Sequence, residues 1–125
     1  MPQIASLAPR ENIHIDPQRV DQIVAALGEK AGMQVVIATL EQLARALGRT
    51  LQAGHQDDLG GVAQGADQLS RLAWQIGLVT LSGVAIDVGR CAELRDRQSL
   101  AATLARLERV GRRSLTELWD RDVPL

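Results

Sequence analysis

Apolar residues recur along most of the chain at alternating steps of three and four positions, which is the spacing of an amphipathic helix. The pattern is clearest over residues 59–77, where it runs without a break. The apolar positions of this stretch are Leu59, Val62, Ala66, Leu69, Ala73 and Ile76. Asp57 or Asp58 can cap its start, and Gly77 stands where a C-terminal cap belongs. The stretch is therefore predicted to be a helix that packs lengthwise against its neighbours.

Four more helices are predicted from the same repeat. A short first helix begins at Asp16, whose side chain can cap free N–H groups, and Pro17 is tolerated in a first turn. Gly28 ends this helix. Thr80 is the expected N-terminal cap of a later one. The remaining predicted helices lie within residues 31–51, 81–94 and 100–118.

Long amphipathic helices joined by short turns favour antiparallel neighbours. The predicted fold is all-α: an antiparallel up-down-up-down four-helix bundle with a short additional N-terminal helix across one end. A chain of 125 residues has room for one such domain. Residues 1–15 lack sustained periodicity and are predicted to be a tail or an N-terminal arm lying on the bundle, which occupies residues 16–121.

Composition narrows the function classes. The net charge of −1 provides no overall field to attract nucleic acid or an anionic membrane, so neither partner is expected. Arginines gather late in the chain but alternate with acidic residues, which favours a solvated helical face with intrahelical ion pairs over a phosphate-binding stripe. No stretch approaches the ~20 apolar residues of a membrane span. The lone Cys91 cannot form an internal disulfide, and a cytoplasmic location is expected.

One polar stripe borders the apolar seam of the helix predicted over residues 59–77. Residues three, four and seven positions apart share a helix face, so Asp67, Ser70, Arg71 and Trp74 are predicted to lie together, mostly toward solvent. Gln64 flanks this stripe, as does Ala63. These residues, except Ala63, are the candidate partner-binding residues.

Residues 66–78 read Ala-Asp-Gln-Leu-Ser-Arg-Leu-Ala-Trp-Gln-Ile-Gly-Leu. This stretch resembles the active helix of histidine phosphotransfer (HPt) domains, the carriers of multistep two-component phosphorelays. That helix reads approximately Ala, His, any residue, Leu, Lys, Gly, followed by a further Ala and a Leu-Gly-Leu joint. The resemblance extends over residues 16–119, with Cys91-Ala92-Glu93-Leu94 similar to a segment that the family often has in a later helix.

The departures from the family decide the expected function. Asp67 stands where the resemblance implies the phosphoacceptor histidine, Ser70 replaces the lysine that helps to neutralise the phosphoryl group, and Arg71 replaces the glycine that lets a receiver domain approach. An aspartate carboxylate is short and negatively charged, and it would meet an anionic aspartyl phosphate. We therefore expect a phosphotransfer-inactive module that binds a response-regulator receiver domain or a histidine kinase.

Other chemistry has little support in the sequence. His14 and His55 lie outside the predicted active helix and are interpreted as ordinary surface histidines. The carboxylates of Asp57, Asp58 and Asp67 lack a histidine or cysteine spaced to complete a metal site. No catalytic residue, cofactor, metal or enzymatic activity is expected.

Two further hypotheses stay open beside that of a phosphotransfer-inactive module that binds a receiver domain or a kinase. The first is a structural bundle that forms a homodimer or larger assembly through an exposed apolar stripe and has no signalling role. The second is a phosphorelay protein in which another residue accepts phosphate. The role of Trp74 is open as well. Its side chain can anchor an interface, or it can fold over neighbouring residues and complete a core that has almost no aromatic side chains.

Overall fold

A computed structural model describes residues 11–123, and the regular elements in that range are five helices. They are α1 (Pro17–Leu27), α2 (Glu29–His55), α3 (Leu59–Gln75), α4 (Val79–Glu93) and α5 (Arg97–Asp122). The predicted all-α class is confirmed. Residues 1–10, the larger part of the predicted arm, lie outside the described range.

Aspartate side chains cap three of the helices at their N-termini. Asp16 accepts from the Gln18 amide at α1, Asp58 from the Gly61 amide at α3, and Asp96 from the Ser99 amide at α5. Each bond satisfies an N–H group that lacks an intrahelical acceptor.

Helix α4 begins differently from this pattern. Leu78 stands at its N-cap and supplies no side-chain hydrogen bond. The prediction of Thr80 as the cap is wrong, because its hydroxyl instead accepts a hydrogen bond from the His14 amide at 2.8 Å. The Thr80 side chain therefore binds the arm before α1 and does not cap α4.

The helix contacts form a closed ring. α2 packs against α3 and α5, α4 packs against the same two helices, and α1 lies against α2. The predicted inward face of α3 is fully buried at Val62, Ala66, Leu69, Ala73 and Ile76, whereas Leu59 is only partly buried. The candidate residues lie beside this buried face or on the solvent side of the helix.

The described part of the arm lies on the helices. Ile15 is buried and forms an isolated antiparallel bridge with Leu78. Glu11 binds Arg106 of α5 through three side-chain hydrogen bonds of 2.6 to 3.0 Å, and its carbonyl accepts from Arg113 at 2.6 Å. The hydrogen bond from Arg106 lowers the pKa of the Glu11 carboxyl from its usual value. The segment just before α1 is thus tied to α5.

Charged residues of α5 follow the predicted pattern in part. Arg112 pairs with Glu108 at 3.0 Å and Arg113 pairs with Glu117 at 3.1 Å, both within the helix. Arg97 instead reaches across to Asp57 in the α2–α3 turn, so some of these arginines join separate elements. Within residues 11–123, none of the helices has the length and apolar character needed to cross a membrane.

Candidate partner-binding face

Asp67 lies on the outward side of α3, one turn before Arg71. Its Oδ2 is 3.1 Å from Nη2 of Arg71, and the two side chains are 68% and 69% exposed. The Ser70 hydroxyl donates to the Asp67 carbonyl oxygen at 2.9 Å, and Nε of Arg71 donates to the same oxygen at 3.4 Å. Exposed helical pairs of this type contribute only a few tenths of a kcal/mol because water screens them. The pair therefore shapes the surface more than it stabilises the fold.

Trp74 is the large apolar group of this surface. It is 52% exposed, and Ile86 of α4 is exposed to the same extent. Both line an open groove of about 470 Å³ between α3 and α4. The other lining residues are Ser70, Arg71, Val79, Ser82 and Gly83. An amphipathic ring that stays half in water offers contact area to a second surface.

A smaller groove of about 230 Å³ continues between the same two helices. It shares Ser70 and Ile86 with the first groove and also contains Asp67, Arg90 and Glu93. The two grooves together form the surface that we call the α3–α4 face. Its character changes along its length, from apolar beside Trp74 to charged beside Asp67.

Gln64 is the candidate residue that the structure separates from the others. It lines a different groove, between α3 and α2, together with Gln68 and Arg49. Arg49 Nη2 donates to Oε1 of Gln68 at 2.7 Å across that groove. The structure therefore brings Asp67, Ser70, Arg71 and Trp74 to the α3–α4 face, whereas Gln64 lines the groove toward α2.

Ile86, which lines the α3–α4 face, and Arg19, which contacts Trp74 on it, were not identified from the sequence. Ile86 falls outside the apolar seam of α4, and an apolar residue out of register is a signal that the pattern did contain. Arg19 of α1 lies with its guanidinium carbon 4.9 Å from the centroid of the Trp74 ring. Nothing in the local pattern indicated that contact, because it joins two separate helices.

The two histidines lie apart from this face. His14 is exposed in the arm and His55 is exposed at the end of α2. In the part of the chain that the structure describes, no three His, Cys, Asp or Glu side chains are arranged to hold a metal ion. The α3–α4 face presents one aromatic ring together with aliphatic, hydroxyl and charged side chains, which are the contacts of a protein interface.

No protein-family model matches this chain, and searches of curated proteins and of solved structures also found no match. The resemblance to phosphotransfer domains therefore depends on residues 66–78 and on the helical framework around them.

Proposed function

We propose that α2 to α5 form an antiparallel up-down-up-down four-helix bundle to which α1 is added. Close approaches between helices support this topology. A Cβ atom on Gly111 would lie 2.8 Å from Leu47, and one on Gly54 would lie 2.7 Å from Leu104. Moving forward along α2 thus corresponds to moving backward along α5, and short turns connect the consecutive helices.

We further propose that the chain is an HPt-like module of two-component signal transduction, acting in the cytoplasm, that binds a receiver domain or a histidine kinase without accepting a phosphoryl group. The observation that carries this proposal is the exposed Asp67–Arg71 pair beside the half-exposed Trp74. It lies at the position that the resemblance assigns to the phosphoacceptor. Partner binding then uses the α3–α4 face.

The loss of phosphoryl transfer follows from charge. A histidine near neutral pH offers an uncharged nitrogen that can attack an aspartyl phosphate. Asp67 instead brings a negative charge, and two unit charges at ~4 Å repel by about 1 kcal/mol in water and about 4 kcal/mol at an effective dielectric of 20. Arg71 already pairs with the carboxylate at 3.1 Å. Its guanidinium is therefore engaged by Asp67 instead of being free to bind an incoming phosphoryl group.

The retained ability to bind follows from the apolar part of the same face. Trp74 and Ile86 leave apolar area in water, and covering that area is favourable. Tryptophan and arginine are enriched among the residues that dominate interface energies. Both types occur here within one helical turn of α3, at Trp74 and Arg71.

Transfer is tested with receiver domains of the source organism, phosphorylated with a radioactive label. After incubation, we expect no stable label on this chain. An Asp67→His, Ser70→Lys, Arg71→Gly variant is the informative companion, because it restores the chemical groups of the family on the same framework. Label on the wild-type chain would contradict the proposed inactivity.

Binding is tested on the same receiver domains and on histidine kinases by calorimetric titration. Arg71→Glu should weaken binding because it places a second negative charge beside Asp67. Arg112→Glu is the matched control: Arg112 is also 69% exposed and pairs with the acidic residue four positions earlier, at 3.0 Å. Equal effects of the two substitutions would refute the proposed face, and the absence of any binding partner among receivers and kinases would refute the function.

The homodimer remains the second candidate, and the exposure of Trp74 and Ile86 favours it too. A second copy can cover this apolar area as well as a signalling partner can. Size-exclusion chromatography with light scattering distinguishes the two. A dimer that Trp74→Ala converts to a monomer would favour assembly over signalling.

A further inference from the structure

Arg19 belongs to α1, yet its side chain reaches the α3–α4 face. Its guanidinium carbon lies 4.9 Å from the centroid of the Trp74 ring. The aliphatic stem passes over Gly77, where an added Cβ atom would lie 3.1 Å from Cβ and 3.2 Å from Cγ of Arg19. A side chain at position 77 would therefore crowd this stem. The absence of one leaves Arg19 a path to the indole.

The backbone from which Arg19 projects is itself fixed to the end of α3. The Asp16 amide donates to the Gly77 carbonyl at 2.8 Å, and the Asp16 side chain caps α1 through the Gln18 amide at 3.0 Å. Nε of Arg19 also lies 4.0 Å from Oδ2 of Asp16. The start of α1 and the end of α3 thus form one joint, which sets the direction in which Arg19 leaves the helix.

We infer that Arg19 is a positioning residue for the α3–α4 face: it lies against one side of the Trp74 indole and holds the ring in the orientation that a partner contacts. This docking role rests on the proposed function. A planar guanidinium stacks well on an aromatic ring and is attracted to it electrostatically. An exposed tryptophan otherwise loses rotamer freedom when it binds. Arg19 reduces that loss by ordering the ring beforehand.

The orientation of Trp74 is tested without any partner. Trp119 is replaced by phenylalanine so that fluorescence reports only on Trp74. Arg19→Gln keeps part of the stem and removes the cation, and we expect greater quenching by acrylamide. Arg19→Lys should restore part of the protection, and Arg45→Gln, an exposed arginine of α2, should change nothing. Unchanged quenching in Arg19→Gln would overturn the inferred contact.

The docking role is tested with the receiver domain or kinase that binds the wild-type chain. Arg19→Gln should raise Kd about two- to fivefold, the range of an exposed cation–π pair. The same substitution in a Trp74→Ala background should leave Kd unchanged, since Arg19 acts through the ring. An equal loss in both backgrounds, or no loss in the wild-type background, would overturn the inference and leave the proposed function intact. A failure of the wild-type chain to bind any such partner would overturn both.

Discussion

Helix α3 packs differently against its two neighbours. Toward α2 the helices approach closely, because Gly65 lies directly against Thr50, which is fully buried. Toward α4 a groove stays open at the surface, because an added Cβ atom on Gly83 of α4 would meet no heavy atom within 4 Å, although Ser82 of α4 donates to the Ser70 carbonyl at 3.0 Å. Gly65 therefore permits a close contact between α3 and α2, and Gly83 of α4 leaves part of the α3–α4 groove unfilled.

The polar groups of the two sides differ in the same sense. In the α2–α3 groove, Arg49 Nη2 donates to the amide oxygen of Gln68, and the lining includes three further glutamines. In the α3–α4 groove, Trp74 and Ile86 keep about half of their area in water. The α2–α3 groove is therefore lined largely by polar side chains, whereas the α3–α4 groove leaves apolar area uncovered. An exposed apolar patch of this kind is a common mark of an interaction site.

The largest expected effect is the loss of partner binding in Trp74→Ala. If Trp74 is the anchor, its removal should cost about 2 kcal/mol or more, roughly thirtyfold in Kd. Trp119→Ala is the control, because Trp119 is also partly exposed and lines a groove of about 310 Å³, on the far helix pair α2 and α5. Calorimetric titration measures both. A larger loss in Trp119→Ala would move the binding surface to that other groove.

The next effect concerns the contact between Gly65 of α3 and Thr50 of α2. A methyl group at position 65 would overlap Oγ1 of Thr50 and lie 3.1 Å from its Cβ. Thr50 donates to the Ala46 carbonyl at 2.7 Å, so turning it away breaks a buried hydrogen bond. Gly65→Ala should lower the free energy of unfolding by about 1–3 kcal/mol. Gly48→Ala, in open space on α2, should raise it instead, and urea titration compares the two.

Much of α3 was predictable because its burial follows a local rule. The steps of three and four predicted that Val62, Ala66 and Leu69 face inward, and all three are fully buried. The same rule predicted that Asp67 lies beside the seam, and it is exposed. Helix periodicity determines which residues face inward because the helix geometry alone fixes the angle between successive residues.

The failures all involve contacts between distant parts of the chain. Thr80 was predicted as a helix cap, but it binds the His14 amide, 66 positions earlier. Gln64 and Asp67 are three residues apart, yet neighbouring helices assign them to different grooves. Arg19 reaches Trp74 from another helix. Periodicity says which side of a helix is buried, but it does not say which neighbour covers each edge.

A smaller effect tests the bond that joins α3 to α4. The Ser82 hydroxyl, on a buried side chain, donates to the Ser70 carbonyl at 3.0 Å. Ser82→Ala should lower the free energy of unfolding by about 1 kcal/mol. Ser114→Ala is the contrasting control, since the buried Ser114 hydroxyl has no partner among the described residues. That substitution should be neutral or stabilising in thermal unfolding. Equal destabilisation by both would show that the Ser82 bond contributes little.

The smallest effect separates stability from binding in the α3–α4 groove. Gly83 lies inside α4, and an added methyl group meets no atom there, so Gly83→Ala should raise the free energy of unfolding by about 0.5–1 kcal/mol. The same methyl group enters the groove beside Trp74 and Ile86, so partner affinity should fall, and Gly83→Leu should reduce it further. Gly48→Ala gains similar stability on α2 without touching that groove. A leucine at position 83 would fill the α3–α4 groove. If Gly83→Leu bound the partner as tightly as Gly48→Ala, the groove would therefore not be the contact surface.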